Sequence, residues 1–511
     1  MDPLLLAVTF VAAHAVPLIL LVSLVVVAAT LLFGRVFCGW FCPLGTLHAI
    51  VGWCADRLGS RKRRRDHWTP WHRAKYYVLI LFLGAALVGG HWITIFDPLV
   101  LLYRTAAVSL LPAFQWAVET GSTTVYQADP HAGPLHLTAL TEPVYQFFRN
   151  HVWGMPRQAF LGTGSILGFF LLILAANFWR RRFWCRYLCP LGALLGLIAR
   201  RPWLRRAVDP DSCTRCDLCA SDCHGAASEK PGEGWRASEC FVCFNCAEVC
   251  PQNGVRFKWR PFWRNDPPAE GPGISRRAAL TALAGGIAAQ AAFRATPQGR
   301  GNVYHPRLIR PPGARPEAEF LERCTACGMC MKVCPTGGLQ PALGEAGLEG
   351  LWTPRLVPHL GYCAYDCNAC GHACPTGAIR PLSLEEKHTV RIGLAAFDTT
   401  RCIPYAYGRD CMVCEEHCPV PDKAIYFQEV TITARDGSLR KVKQPHVDPN
   451  NCIGCGTCEN VCVLKDAPGV RVFSSNESRH PDNQPILPEI GGETGGYSEP
   501  GEGSEEGGSP Y

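Results

Sequence analysis

The sequence predicts a multi-domain chain in which an α-helical membrane bundle is followed by α+β iron–sulfur domains. Apolar runs fill the first 206 residues. Regularly spaced cysteine groups begin at Cys213. Basic stretches separate the two regions. At 511 residues the chain is too long for one core, so two or three domains are expected. The net charge of +7 sits in arginine clusters beside apolar segments, a pattern of membrane topology rather than of nucleic-acid binding.

The membrane domain is read as 1–206. Residues 4–13 form an apolar run broken by His14 and Pro17, expected to lie as an interfacial helix, against the alternative of one bent continuous helix. Spans are expected at 16–33, 76–96 and 162–179. The first is followed by Cys38-Gly-Trp-Phe-Cys42-Pro43-Leu44-Gly45 and the basic run at 61–65. The third is followed by Cys185-Arg-Tyr-Leu-Cys189-Pro190-Leu191-Gly192 and the arginines at 200, 201, 205 and 206. This unit of helix, C-x3-C-P-L-G, short helix and basic segment is an internal repeat. Positive charge stays in the cytoplasm, so both motifs are assigned inside. The sparsely basic connection 97–158 is assigned outside, as is the N-terminus. Cysteines four apart share a helix face, and proline marks the first turn of a new helix. Cys38, Cys42, Cys185 and Cys189 are therefore expected to converge. They would serve as a metal or cluster site, as redox-active thiols, or as small residues packed at a helix crossing.

Residues 207–260 are read as a two-cluster domain. Cys213, Cys216, Cys219 and Cys223 are spaced C-x2-C-x2-C-x3-C, as are Cys240, Cys243, Cys246 and Cys250, which Pro251 follows. This is the ligand run of bacterial-ferredoxin-like domains, in which the fourth cysteine of each run serves the other cluster. The sets are then Cys213, Cys216, Cys219, Cys250 and Cys240, Cys243, Cys246, Cys223. Zinc sites pair two knuckles across a longer loop, and disulfide frameworks belong to small secreted domains. Neither fits.

Residues 261–316 are read as a linker. It holds Ser275-Arg276-Arg277 ahead of a mildly apolar stretch ending at Phe293, similar to a twin-arginine export signal, against the alternative of an Ala-rich helix with an ordinary basic pair. Whether that stretch spans a membrane or is cleaved stays open at this point. Residues 317–475 carry four further runs: Cys324-Cys327-Cys330-Cys334, Cys363-Cys367-Cys370-Cys374, Cys402-Cys411-Cys414-Cys418 and Cys452-Cys455-Cys458-Cys462. The second and third have stretched first gaps. Four further [4Fe–4S] clusters follow, six in all, with neighbouring and nested ligand swaps both open. The strand-prone pieces 430–433 and 470–473 predict hairpins beside the clusters. The Gly/Glu/Ser/Pro-rich tail, 476–511, is expected to be disordered. Of 29 cysteines, only Cys54 stands outside the runs and the two motifs.

These residues resemble two known families. Residues 1–260 are similar to the NapH-type membrane ferredoxin, a quinol dehydrogenase subunit, through both C-x3-C-P-L-G motifs and the double run 213–250. Residues 275–475 are similar to the NapG/MauM-type four-cluster ferredoxin. The carriers there are the twin arginine, Cys324-Thr-Ala-Cys-Gly-Met-Cys, Tyr362-Cys363 and Cys411-Met-Val-Cys-Glu-Glu-His-Cys-Pro. Separate subunits elsewhere look fused here. The likeness departs at Asp2-Pro3-Leu4, ahead of which the NapH family has a further transmembrane helix.

The resemblance implies a multi-pass protein of the bacterial inner membrane that oxidises menaquinol or ubiquinol and delivers electrons to a periplasmic redox enzyme or cytochrome. The 213–250 clusters would be cytoplasmic and the 324–462 clusters periplasmic. Candidate quinol-site residues are His91, Trp92 and Asp97, or the C-x3-C-P region; the plainer roles are an interfacial anchor for His91 and a turn opener for Asp97. Two other classes are a maturation factor for a periplasmic redox enzyme, with Cys38, Cys42, Cys185 and Cys189 as active thiols, and a passive electron wire.

Overall fold

The structure, a computed structural model, describes residues 2–57, 68–129, 131–132, 135–136, 138–154, 157–227, 235–260, 273–295, 305–433, 437–480 and 482–483. Helix α1, Pro3–Ala13, starts where Asp2 accepts the Leu4 N–H at 2.9 Å, with Pro3 in the first turn. It ends at His14 in a left-handed conformation. The expected interfacial position is corrected. Leu4, Val8 and Ala12 are buried in one cluster with Leu79, Ile93 and Leu191, because this face is apolar along its whole length.

Helix α2, Leu18–Phe33, closes at Gly34, whose φ of 84° suits glycine. Helices α3, Pro43–Arg57, and α4, Ala74–Leu87, follow. The span expected at 76–96 is shorter than read. Gly89 and Gly90 turn the chain by donating back to Ala86 and Ala85, and a separate short helix, Ile93–Phe96, follows. The connection expected at 97–158 is a larger correction, because it contains α5, Pro98–Ala128. Asp97 caps this helix, accepting from Leu99 and Val100 at 2.9 Å each. A turn of π-helix, Ala106–Leu110, precedes Pro112, so the proline does not break the helix. Helices α6, Thr163–Phe178, and α7, Pro190–Ile198, complete the first half. Among the described residues α5 alone is long and apolar enough to cross a membrane; α1, α2 and α6 are apolar but shorter.

The twin-arginine segment forms α8, Arg276–Arg294, capped by Ser275. It runs parallel to α4. The Ser275 N–H donates to Tyr77 Oη at the start, and Phe293 stacks on Trp92 at 4.6 Å at the end. Between them Gly84 meets the Leu283 backbone and Gly286 meets the Leu81 backbone. Small residues let two helix backbones approach this closely.

Two cysteine-rich modules pack against these helices, an inner one between α7 and α8 in the chain and an outer one after α8. In the inner one, β1, Leu204–Val208, pairs antiparallel with β2, Val255–Trp259, and closes the segment carrying both ligand runs. In the outer one β3, Leu339–Pro341, pairs with β4, Pro354–Leu356. Strand β5, Leu394–Phe397, pairs with β8, Val470–Phe473. Strands β6, Ile425–Thr433, and β7, Leu439–Val447, make a long hairpin. The strand-prone pieces at 430–433 and 470–473 thus lie in these two pairs.

Both boundaries of the outer module differ from the sequence reading. Ile309 bridges to Leu356, so the end of the linker belongs to the module. Residues 476–480 also fold back onto it: the Ser478 N–H donates to the Arg391 carbonyl. Apart from 482–483, the rest of the tail lies outside the described residues.

Glu317 ties these margins together. Its 2 % exposed carboxylate takes two bonds from Arg310, at 2.5 and 3.2 Å, and one from Arg479 at 2.8 Å. Burial pushes its pKa up, but the two guanidiniums outweigh burial and hold it at about 2 rather than 4.5. A depressed pKa contributes stability that is complete above about pH 4.5 and is lost as pH falls towards 2. Glu317→Gln should therefore destabilise the outer module near neutral pH by about 3 kcal/mol and flatten its acid limb. Circular-dichroism melts of both chains near neutral pH and at pH values below the unfolded pKa check this.

Candidate metal centres

The ligand loops share a backbone device. The residues on either side of the second cysteine take left-handed conformations: Arg215 and Asp217 around Cys216, Val242 and Phe244 around Cys243, Ala326 and Gly328 around Cys327, Gly454 and Gly456 around Cys455. For a non-glycine residue this costs roughly 1–2 kcal/mol. The coiled loop turns its first two thiols inward, and one turn of helix carries the third, as in Met329–Lys332. The stretched runs do not carry these flanking residues, and their longer first gaps turn the chain instead.

The thiols gather in six sets of four. Cys219 lies in electrostatic reach of Cys213, Cys216 and Cys250. These four line a cavity of about 420 Å³. Cys223 joins Cys240, Cys243 and Cys246. In the outer module Cys324, Cys327 and Cys330 face Cys374, while Cys363, Cys367 and Cys370 gather with Cys334. Cys402, Cys411 and Cys414 gather with Cys462, and Cys452, Cys455 and Cys458 with Cys418. The fourth cysteine is exchanged between neighbouring runs in each case.

The donor chemistry fits cubes of iron and sulfide. Burial first, with neighbouring thiols adding to it, pushes Cys240, Cys324 and Cys414 up to about 12. Four thiolates can share such a place only around a cationic core, which iron supplies. Among the described residues no three His, Cys, Asp or Glu side chains are close enough for a single ion; a cube spreads its ligands wider. Every cysteine is a free thiol. Hydrogen bonds to sulfur, which tune cluster potentials, come from Arg206 to Cys219 at 3.2 Å and from the Gly469 N–H to Cys462 at 3.4 Å.

The two C-x3-C-P motifs also converge. Cys42 and Cys189 stand at the starts of α3 and α7, each followed by the helix-starting proline; Cys189 Sγ accepts the Gly192 N–H at 3.2 Å. Cys38 and Cys185 lie in the preceding short turns. All four are in mutual electrostatic reach, ringed by Arg35, Arg182 and Lys75.

The inner module docks on this four-cysteine centre. Arg35 donates to the Ser238 carbonyl at 3.1 Å, Trp40 to the Val242 carbonyl at 2.9 Å, and Arg186 to the Cys223 carbonyl at 3.0 Å. Glu239, one residue before Cys240, pairs with Lys75, with Tyr76 Oη at 3.0 Å and with Arg35 at 3.6 Å. Arg182 lies close to both Cys185 and Cys243. From the other side of the centre, Trp184 stacks on Phe96 at 5.5 Å and meets Phe169 at 6.4 Å. Phe169 meets Trp352 of the outer module at 6.2 Å. Arg104 covers Trp352 at 4.5 Å and donates to the Ala326 carbonyl beside Cys327. The sequence reading missed this whole layer. Its one local signal is charge inside apolar segments: Arg35, Lys75 and Arg104 are all fully buried.

His91, Trp92 and Asp97 cluster where the chain turns after α4. His91 is 5 % exposed and lies 3.4 Å from Thr9 Oγ1, so its expected place as a surface anchor is corrected. Trp92 packs against α8. Asp97 caps α5 and also faces the carboxyl of Asp2.

Three family models match parts of the chain: a 4Fe-4S binding domain over 15–66 and 161–209, a second 4Fe-4S binding domain over 320–340, and a 4Fe-4S dicluster domain over 409–465. The methylamine utilization ferredoxin-type protein MauM of Paracoccus denitrificans is 37 % identical over 170 residues, covering 33 % of this chain and 71 % of MauM. The ferredoxin-type protein NapG of Escherichia coli is 35 % identical over 191 residues, covering 37 % of this chain and 80 % of NapG. YccM of Escherichia coli is 28 % identical over 240 residues, and this chain spans about half of it, 54 %. No solved structure matches. With ligand loops, gathered thiols and these relatives in agreement, the chain belongs to the family of ferredoxin-type iron–sulfur electron-transfer proteins that includes MauM and NapG.

Proposed function

We propose that the protein is a membrane-anchored relay that oxidises menaquinol or ubiquinol and passes single electrons through six [4Fe–4S] clusters to a periplasmic redox enzyme or cytochrome. The carrying observation is continuity: six four-cysteine sets and the C-x3-C-P centre, linked by packed contacts from Cys213 to Cys462. Bound clusters supply reversible one-electron storage. The protein's own residues bury the thiols, donate to their sulfurs and exclude water. Each quinol yields two electrons and two protons, so its site must divide the electrons before the relay carries them.

Topology follows the positive-inside tendency. Helices α4 and α8 both begin at basic ends, at Arg73 and Lys75 and at Arg276 and Arg277. The inner module docks near that end through Glu239. Near the other end of α8, Gln290 donates to Glu349 of the outer module at 2.6 Å. At 19 residues α8 is about 28 Å long, close to the hydrocarbon thickness of roughly 30 Å. In this reading α8, less apolar than α5, is retained by its packing against α4 rather than cleaved as a signal, the first cluster pair is cytoplasmic and the other four clusters are periplasmic. His91, Trp92 and Asp97 lie at the periplasmic turn, a short distance from Arg104 and the Cys327 cluster.

Anaerobic stopped-flow mixing of the purified chain with menaquinol or ubiquinol tests the proposal. Cluster bleaching blocked by quinone-site inhibitors supports it. No bleaching with either quinol overturns quinol oxidation and leaves the passive wire or the maturation factor. The convergence of Cys38, Cys42, Cys185 and Cys189 favours a redox or metal role there. An unchanged iron content in the quadruple Cys→Ala variant would assign these thiols to disulfide chemistry or packing instead.

A further inference from the structure

We infer that electrons leave the outer relay from the cluster of Cys402, Cys411, Cys414 and Cys462, and that the β6–β7 hairpin beside it docks an acidic one-electron carrier protein. This rests on the relay reading above and adds its order, its terminus and the charge of its partner.

The order comes from contacts between the sets. The Cys324, Cys327, Cys330 and Cys374 set lies against the membrane half: Arg104 donates to the Ala326 carbonyl, and Val108 packs on Gly328. Cys330 is in reach of Cys370, which belongs to the next set. That second set touches the fourth run rather than the third: the Cys363 N–H donates to the Cys455 carbonyl at 2.8 Å, and the two thiols are neighbours. The fourth run then leads to the third, because Cys458 lies in reach of Cys414. The spatial sequence is first, second, fourth, third. The third run, in the middle of the amino-acid sequence, stands at the end of the path.

That terminal set is open on its far side. Tyr407, Met412 and Val463 beside its ligands are 65, 39 and 50 % exposed. The hairpin frames this opening. Ile432 packs on Gly408, Tyr405 Oη donates to the Pro445 carbonyl at 2.8 Å, and the Lys443 N–H donates to Asp410 at 2.9 Å. Strand β7 exposes Arg440, Lys441 and Lys443; β6 offers Glu429 alone, opposite Lys443. Of the acidic groups nearby, Glu415 pairs with Lys423 at 3.3 Å and Asp466 with Arg401 at 2.9 Å, Asp410 accepts the Lys443 N–H, and Glu416 and Asp422 are exposed beside the set. On the hairpin itself the three cations of β7, with Arg409 next to them, outnumber Glu429. A cationic strand beside an accessible one-electron centre suits a partner with a negative face, drawn in by long-range attraction. Cys402, Cys411, Cys414 and Cys462 would hold the cluster, which would supply a one-electron exchange: its oxidation by one electron would balance the one-electron reduction of the carrier's centre, with no proton moved.

The test uses the full-length chain, reduced beforehand with dithionite so that quinol chemistry is bypassed. It is mixed anaerobically with an acidic or a basic c-type cytochrome at several salt concentrations. The acidic cytochrome should be reduced faster, with a rate that falls as salt rises. The combined variant Arg440→Glu, Lys441→Glu, Lys443→Glu should slow the acidic cytochrome at least tenfold and favour the basic one, at unchanged iron content. Cys411→Ser should slow both cytochromes at least tenfold while the remaining clusters still bleach with dithionite. Unchanged rates in the charge variant overturn the docking surface, and an unchanged rate in Cys411→Ser overturns the exit. Neither result bears on quinol oxidation, which is read separately.

Discussion

Glu239→Ala should loosen the inner module from the helical half and destabilise that junction by about 3–5 kcal/mol. The carboxylate is 2 % exposed and faces two cations, Lys75 and Arg35, that are themselves fully buried. Truncation removes the one carboxylate that both cations face among the described residues and leaves the two positive charges in a water-poor place. Removing one member of a buried pair costs far more than the pair contributes over a well-packed apolar replacement, because the survivor keeps its desolvation penalty. Glu239→Gln retains the shape and a bond to Tyr76 but not the charge, so its loss should be smaller. Hydrogen exchange on the intact chain reads the effect: amides of β1 and β2 and of the 213–250 loops should exchange faster in Glu239→Ala, with the outer module unchanged. Equal protection in variant and parent would show that the carboxylate does not hold the junction. The consequence for function is specific. Glu239 precedes Cys240, and Arg35 reaches Cys38 Sγ at 3.9 Å, so the same ion cluster fixes the distance between an iron–sulfur set and the four-cysteine centre.

The contrast between the ligand runs and this knot explains how much was legible in the sequence. The four regular runs are local: three thiols within seven residues, with turn residues between them, prescribe their own loop whatever surrounds it. The exchange of the fourth cysteine inside the 213–250 domain could be expected for the same reason, since only two runs are present. With four runs the choice between neighbouring and nested exchange depends on how hairpins such as β5–β8 close, and strand pairing across 70 residues leaves no local period. The helices show the same division. Apolar stretches marked α2 and α6 plainly. Helix α5 was hidden because its mean hydropathy is only 1.2, diluted by Gln115 and Glu119, and because prolines stand at 98 and 112. In the fold Pro98 opens the helix and a π turn accommodates Pro112. The aromatic path from Trp184 through Phe169 to Trp352 joins three distant segments, and nothing in the spacing of those residues announces it.

Gly286→Leu should do the most damage among changes to α8, and a neighbouring glycine provides its control. A Cβ at Gly286 would fall on the Leu81 carbonyl of α4, a backbone atom that cannot rotate away. Even Gly286→Ala must push the helices apart; leucine adds three further carbons to the same gap. Overpacking a tight contact typically costs about 1–3 kcal/mol, and a clash with backbone belongs at the upper end. Gly285, one residue earlier, has nothing within 4 Å of its Cβ position. Gly285→Ala should therefore be neutral or stabilising by up to about 1 kcal/mol, the helix-propensity gain alone. Gly286→Ala and Gly285→Ala share a helix, a starting residue and the side chain introduced, so opposite signs in thermal melts of the detergent-solubilised chain isolate the α4–α8 contact, and Gly286→Leu enlarges the loss. The same contact bears on the fate of the twin-arginine segment. If α8 stays docked, the purified protein runs as one 56.0 kDa polypeptide carrying both modules, and Gly286→Leu lowers its melting midpoint. Recovery of two chains split near residue 296, with no response to Gly286→Leu, would return α8 to the role of a removable export signal.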